Sequence, residues 1–274
     1  MEIIELVSLC NQLESLGVDP PGEARRVLDV HAALMAAAAQ SPSGDLREAL
    51  ADGTLTAASA PKLLWEAARN ETARQSAQAL SRDLNHPVRS IAREALAGDA
   101  DRIVTELRPK FDVAAESMQR AGQLIDQDAT DAEVLAAGRD AAELWQQLAE
   151  HCAVLDSIMG ARSALDAITG GQPSPTAAAY IEAAPDAEAL DRAARLFDGA
   201  GPGLSGPLPR TVGGRWHRLT HAGYRLRLNS AQEARQVIAA ANSATARTRA
   251  AADAARARRG PRRPDWSLTL PQPR

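Results

Sequence analysis

Residues 100–125, ADRIVTELRPKFDVAAESMQRAGQLI, set Ala100, Val104, Leu107, Phe111, Ala114, Met118, Ala121 and Ile125 at alternating intervals of four and three. That alternation holds one apolar stripe on one side of a helix and is the pattern of a coiled-coil seam. Pro109 lies inside the stretch, so a kink or a restart of the helix is expected there. Beyond the polar turn from Asp126 to Asp131, Thr130 and Glu133 have the spacing of a capping box. Val134, Gly138, Ala141, Trp145, Leu148, Cys152, Leu155 and Met159 then repeat the alternation. Two seams joined by a polar turn predict an antiparallel helical hairpin. The candidate seam residues are Val104, Leu107, Phe111, Met118, Ile125, Val134, Trp145, Leu148, Leu155 and Met159. The Ala, Gly and Cys interspersed among them favour close packing and leave the oligomeric state unspecified.

Working outward, residues 1–60 read as a small helical head, broken at Gly17–Gly22 and again at Ser41–Gly44. Residues 61–170 form the long hairpin region: Pro61 suits a first helical turn, and Asn85-His86-Pro87 is expected to interrupt the helix that it opens. Residues 171–214 hold short Ala-rich helices near 176–184 and 187–197, then a hinge, Gly199 to Gly214, with six Gly and three Pro. In residues 215–274 the grammar changes. Tyr224, Leu226 and Leu228 alternate with Arg225 and Arg227 in the period of a half-buried strand, and Trp266, Leu268 and Leu270 alternate likewise. Between them Ser230 and Glu233 form a second capping box, opening a helix expected to run to Arg259 before Gly260-Pro261. The fold class is therefore mainly α: an elongated helical hairpin or bundle with coiled-coil-like seams, and a small basic C-terminal module containing short β segments.

Composition agrees with this picture. A chain of 274 residues can bury a core without disulfides or metals. Ala supplies 59 residues against only eight aromatics, so long helices packed closely are the economical solution. Met1 to Val7 has no basic region and no sustained apolar run, so it does not read as a signal peptide, and no stretch approaches a membrane span. Cys10 and Cys152 are expected to be reduced structural thiols in a cytoplasmic protein.

Few residues point to chemistry. Gly201, Gly203 and Gly206 have dinucleotide-loop spacing but follow a predicted helix and precede Pro207 and Pro209, so the linker reading is favoured. His217 and His221 could share a helical face, yet no Cys or carboxylate is near them in sequence and Arg215 and Arg218 would repel a cation, which favours solvated or anion-contacting histidines. Asp126, Asp128 and Asp131 lack the Gly and terminal Glu of a calcium loop. No catalytic residue, cofactor, metal or small-molecule ligand is predicted.

Charge carries the functional signal. Residues 1–209 hold 17 Lys and Arg against 32 Asp and Glu, whereas residues 210–274 hold 14 Arg against Glu233, Asp253 and Asp265. An acidic body joined to a basic tail points to a polyanionic partner or to self-association. Arg outnumbers Lys 29 to 2, so part of this Arg reflects codon habit, but its placement remains informative. Arg247, Arg249, Arg256, Arg258, Arg259, Arg262 and Arg263 fall within seventeen residues and leave no apolar face for a membrane. With Arg215, Arg218, Arg225, Arg227 and Trp266 they are the candidate partner-binding set. Trp216, Tyr224 and Trp266 read as the small core of this module rather than as a base-stacking platform.

In charge layout and helical character the chain is similar to tailed-phage scaffolding and virion-assembly proteins, which combine acidic helical bodies with basic C-terminal docking segments. The expectation is a non-enzymatic structural, assembly or adaptor protein, cytoplasmic or virion-associated, that acts through helical packing and a basic docking arm. A protein partner or self-association is expected. The alternative is a nucleic-acid-binding protein that grips phosphate with the same arginines.

Overall fold

The computed structural model describes residues 1–39, 52, 56, 60–126, 129–170, 176–198 and 214–258. It is mainly helical, with nine α-helices and no strand among the described residues. The helices are α1 (Ile3–Ser15), α2 (Gly22–Ala39), α3 (Ala60–Gly98), α4 (Ala100–Leu124), α5 (Asp131–Ala136), α6 (Arg139–Thr169), α7 (Ala187–Asp198), α8 (Gly214–His221) and α9 (Ala231–Arg258). Contacts divide the chain into two compact units, Met1–Met118 with Glu143–Pro173, and Gln119–Ala142 with Ser174–Arg274.

In the first unit α2 packs along α3, and α1 against both. The reason is periodicity: α1 buries Leu6, Leu9, Cys10 and Leu13, and α2 buries Ala24, Val27, Leu28 and His31. Facing them, α3 buries Ala77, Ser81, Val88, Ala92 and Leu96. That stripe passes straight across Pro87, and the interruption expected at Asn85-His86-Pro87 does not occur. An interior Pro costs about 3 kcal/mol. Here Asn85, His86 and Pro87 are all exposed, so the carbonyl that loses its partner is left to water, and packing on both sides carries the helix through. Helix α4 likewise continues through the exposed Pro109 without a restart.

The seam residues are core. Val104, Leu107, Phe111, Met118, Ile125, Val134, Leu148 and Leu155 are buried, while Trp145 and Met159 are half-buried. The second seam does not lie on one helix. Gly138, at φ +109°, separates α5 from α6 in a backbone conformation that side chains rarely adopt. The predicted capping box at its start is present: Thr130 N donates to Glu133 Oε2 at 2.7 Å and Glu133 N to Thr130 Oγ1 at 3.4 Å.

The second unit is built around three rings. Tyr180 stacks on Phe197 with centroids 5.4 Å apart, and Trp216 meets them edge-on at 5.4 and 5.3 Å. A 3₁₀ turn (Thr176–Ala179) stands where a helix was expected to reach residue 184. Residues 224–228 are extended, with Leu226 and Leu228 buried and Arg225 and Arg227 exposed. They make a single antiparallel bridge, Ile181 to Leu226, flanked by Glu182 N to Arg225 O (2.9 Å) and Arg227 N to Tyr180 O (3.0 Å). The expected companion segment, Trp266 to Leu270, and residues 199–213 of the hinge lie outside the described residues. Helix α9 starts at the predicted Ser230–Glu233 box, where Ser230 N donates to Glu233 Oε2 at 2.7 Å.

Candidate functional site

The candidate arginines that the structure describes divide into two sets by what lies within reach of each guanidinium, while Arg235, exposed on the proximal half of α9, belongs to neither. Arg215 and Arg218 sit on α8 and are half-buried. The Arg215 guanidinium lies over the Phe197 ring, 5.1 Å from its centroid. Arg218 Nε donates to the Leu196 carbonyl at 3.0 Å, near the end of α7. Burial, with Arg215 nearby, pushes the Arg218 pKa below its ordinary value. Arg225 pairs with Glu182 at 3.4 Å, and Arg227 with Glu233 at 3.1 Å. These four are engaged by the unit that carries them.

The two histidines of α8 do related work. His217 is buried, contrary to the expectation of a solvated ring, because α8 turns Trp216, His217, Leu219 and Thr220 into the unit. Its Nε2 donates to the Ile125 carbonyl at 3.1 Å, and His221 Nδ1 donates to the Gly122 carbonyl at 3.3 Å. Both carbonyls lie at the end of α4, where the helix has no further backbone donors to offer. Burial pushes the His217 pKa down, and the Ile125 and Ala121 carbonyls only partly oppose it. The histidines therefore terminate a helix. Among the described residues no group of His, Cys, Asp and Glu has the arrangement of a metal site.

Gly122 makes the contact possible. A Cβ there would lie 2.5 Å from Thr220 Oγ1 and 2.9 Å from both Thr220 C and His221 N. Sequence reading passed over Gly122 because its partner is about a hundred residues away, and passed over the buried Arg162, which pairs with Asp166 one turn along α6. An i,i+4 Arg–Asp pair was the available signal for the latter.

The second basic set is on the distal half of α9. This helix is anchored through Ala234 and Ala241, both buried, and Thr245, whose Oγ1 accepts from Ala187 N at 2.9 Å at the start of α7. Beyond Thr245 every residue to Arg258 whose side chain is described is exposed. Arg247, Arg249, Arg256 and Arg258 stand on this stretch, with no ion pair among the described residues. In the body Arg25, Arg74 and Arg102 each reach carboxylates within one helical turn, while the exposed Arg82, Arg93 and Arg120 are, like the α9 set, outside any ion pair among the described residues. On α9 the neighbours one turn away are mostly Ala, and the single carboxylate, Asp253, is itself outside any ion pair among the described residues. Arg259, Arg262, Arg263 and Trp266 lie outside the described residues.

Two open cavities also occur. One of about 320 Å³ is lined by His86, Arg89, Arg93, Glu94 and Ile168, and one of about 280 Å³ by Glu182, Arg227, Asn229 and Glu233. Their charges are largely spoken for, through Arg89 with Glu2, Ser90 with Glu94 and Arg227 with Glu233. No described helix is long and apolar enough to cross a membrane. Comparison with protein-family models, curated proteins and solved structures finds no match to this chain.

Proposed function

We propose that this protein is a non-enzymatic assembly or adaptor protein whose docking arm is the distal half of α9. The observation that carries the reading is the bare helix from residue 246 to 258: exposed throughout its described side chains, without an ion pair among the described residues, and bearing four arginines. Unpaired guanidinium groups held on a regular element are a surface for an anionic partner. The seam residues serve the reading as fold-holding core: eight of the ten are buried within the single chain, so the docking role falls to the arm and not to the seam. The charge layout is also what the likeness to phage scaffolding and virion-assembly proteins rests on, and a capsid or portal gene beside this reading frame would favour that setting.

The test is affinity capture from the native source, run in parallel with the full chain and the variant R247Q/R249Q/R256Q/R258Q, with light scattering on each. A partner retained by the parent and lost by the variant is expected. Equal recovery by both, or no partner for a chain that is monomeric, refutes the proposal.

A further inference from the structure

The arrangement of side chains on the arm narrows the partner. Successive residues of a helix advance by about 100° around the axis and about 1.5 Å along it. On that geometry Arg247 and Arg258 share one flank, Arg249 and Arg256 the opposite flank, about 180° away. Between the flanks on one side lie Thr248, Ala251, Ala252 and Ala255, a face with nothing larger than Thr and no carboxylate. Asp253 falls toward the other side. Along the axis Arg247 and Arg258 stand about 16.5 Å apart on their flank, and Arg249 and Arg256 about 10.5 Å apart on theirs.

A protein groove that receives a helix is filled by large apolar anchors at i, i+3, i+4 and i+7. The arm has none, since its largest apolar groups are Ala side chains and the Thr248 methyl. What it offers is a slim ridge with cations along both edges. The major groove of duplex DNA is about 12 Å wide, admits an α-helix, and carries phosphates along both of its walls. Its floor is met by small side chains without steric cost, and Thr and Ala make apolar contact with thymine methyls.

We infer that the distal half of α9 seats in the major groove of a nucleic-acid duplex, with Thr248, Ala252 and Ala255 facing the base edges and the two arginine pairs spanning to phosphates on opposite strands. This deepens the docking-arm reading and rests on it. Four phosphate contacts contribute a slope of about −3.6 to log K against log salt, from about −0.9 per contact. Binding to these four alone then weakens about a hundredfold between 50 and 200 mM salt.

The experiment is fluorescence anisotropy of the full-length protein with a labelled 20-base-pair DNA duplex of mixed sequence, and with one of its strands, across that salt range. R247Q/R249Q/R256Q/R258Q is expected to lower the magnitude of the slope by about 3.6. Ala252→Glu and Ala250→Glu add the same charge at exposed positions on opposite faces of the helix. Ala252→Glu is expected to weaken duplex binding at least tenfold, and Ala250→Glu less than threefold. Equal losses from the two, or equal affinity for the single strand, overturn the groove seat. No duplex binding, together with a captured acidic protein that R247Q/R249Q/R256Q/R258Q loses, also overturns it and leaves the docking-arm reading standing; loss of nothing by that variant in either assay refutes both.

Discussion

Replacing Gly122 with Ala sets two effects of opposite sign against each other. Gly in a helix interior is less favourable than Ala by about 0.5–1 kcal/mol, so propensity alone predicts a gain. The added methyl, however, would lie 2.5 Å from Thr220 Oγ1 and 2.9 Å from two backbone atoms of α8. Thr220 is held in place by its hydroxyl bonds to the Trp216 and His217 carbonyls at 3.2 and 3.1 Å, and a backbone atom moves only if the helix does. Displacing α8 disturbs the Trp216 ring cluster and the His217 contact with Ile125. Overpacking of this kind costs about 1–3 kcal/mol, which outweighs the propensity gain and leaves a net loss of about 0.5–2 kcal/mol. For a unit of 125 residues, 24 from Gln119–Ala142 and 101 from Ser174–Arg274, that is a fall in Tm of a few degrees, at about 4 °C per kcal/mol. The assays are urea unfolding and amide hydrogen exchange of residues 214–221, where protection should drop. Gly98→Ala is the control, because a Cβ at Gly98 meets nothing within 4 Å, and it should be neutral or stabilising. If Gly122→Ala matches or exceeds the parent in stability with unchanged protection at 214–221, the close-contact argument is wrong.

Four further outcomes are expected. Because burial lowers the folded His217 pKa below the unfolded value of 6.5, its contribution to stability is fully present above about pH 6.5 and is lost as pH falls below it; the acid sensitivity seen by urea unfolding at pH 7.5 and 5.5 should be smaller in His217→Gln. Asn229, buried, donates from Nδ2 to the Ala178 and Ile181 carbonyls at 2.9 and 2.8 Å, so Asn229→Ala leaves both without that donor and should cost about 2–3 kcal/mol in the same assay. The Cys10 thiol is pushed up to about 11 by burial, whereas Cys152 is half-exposed, so a thiol reagent at pH 8 should label Cys152 quickly and Cys10 only on unfolding. In α9, amides from 231 to 245 should exchange more slowly than those from 246 to 258, and equal protection along the helix would show that the arm is covered.

What could be read from the sequence, and what could not, follows the range of the interactions. Capping boxes at Thr130 and Ser230 are hydrogen bonds between residues three apart, and both are found where the spacing put them. The Val104-to-Ile125 stripe is equally local, because one helix carries almost all of it. Pro87 misled because a helix breaker is a local preference, and the stripe from Ala77 to Leu96, packed against α2, overrides it. Gly138 misled in the other direction: counted as a small seam residue, it is a positive-φ joint between two helices. His217 and Gly122 were illegible as partners because the contact that defines them joins positions 92 or more residues apart.

The arginines show why a count of charge could not locate the candidate site. In a chain with 29 Arg and 2 Lys, the residue type says little, and the deciding variable is whether an acceptor lies within reach of each guanidinium. On α8 the acceptors are the end of α7 and an aromatic face, supplied by the fold; at 225 and 227 they are carboxylates supplied by the bridge to residue 181 and by the start of α9. Past Thr245 the helix leaves its last anchor, and the neighbours available within one turn are Ala and a single Asp. A free helix of about thirteen residues is marginal by itself, yet here the anchored turns from residue 231 supply the costly nucleus and Ala propagates it. Alanine thus does two things in the arm: it keeps the helix formed beyond its support, and it offers the arginines nothing to bind. The salt dependence of partner binding should therefore track Arg247, Arg249, Arg256 and Arg258, and substitution of Arg215 or Arg218 should register as lost stability of the unit.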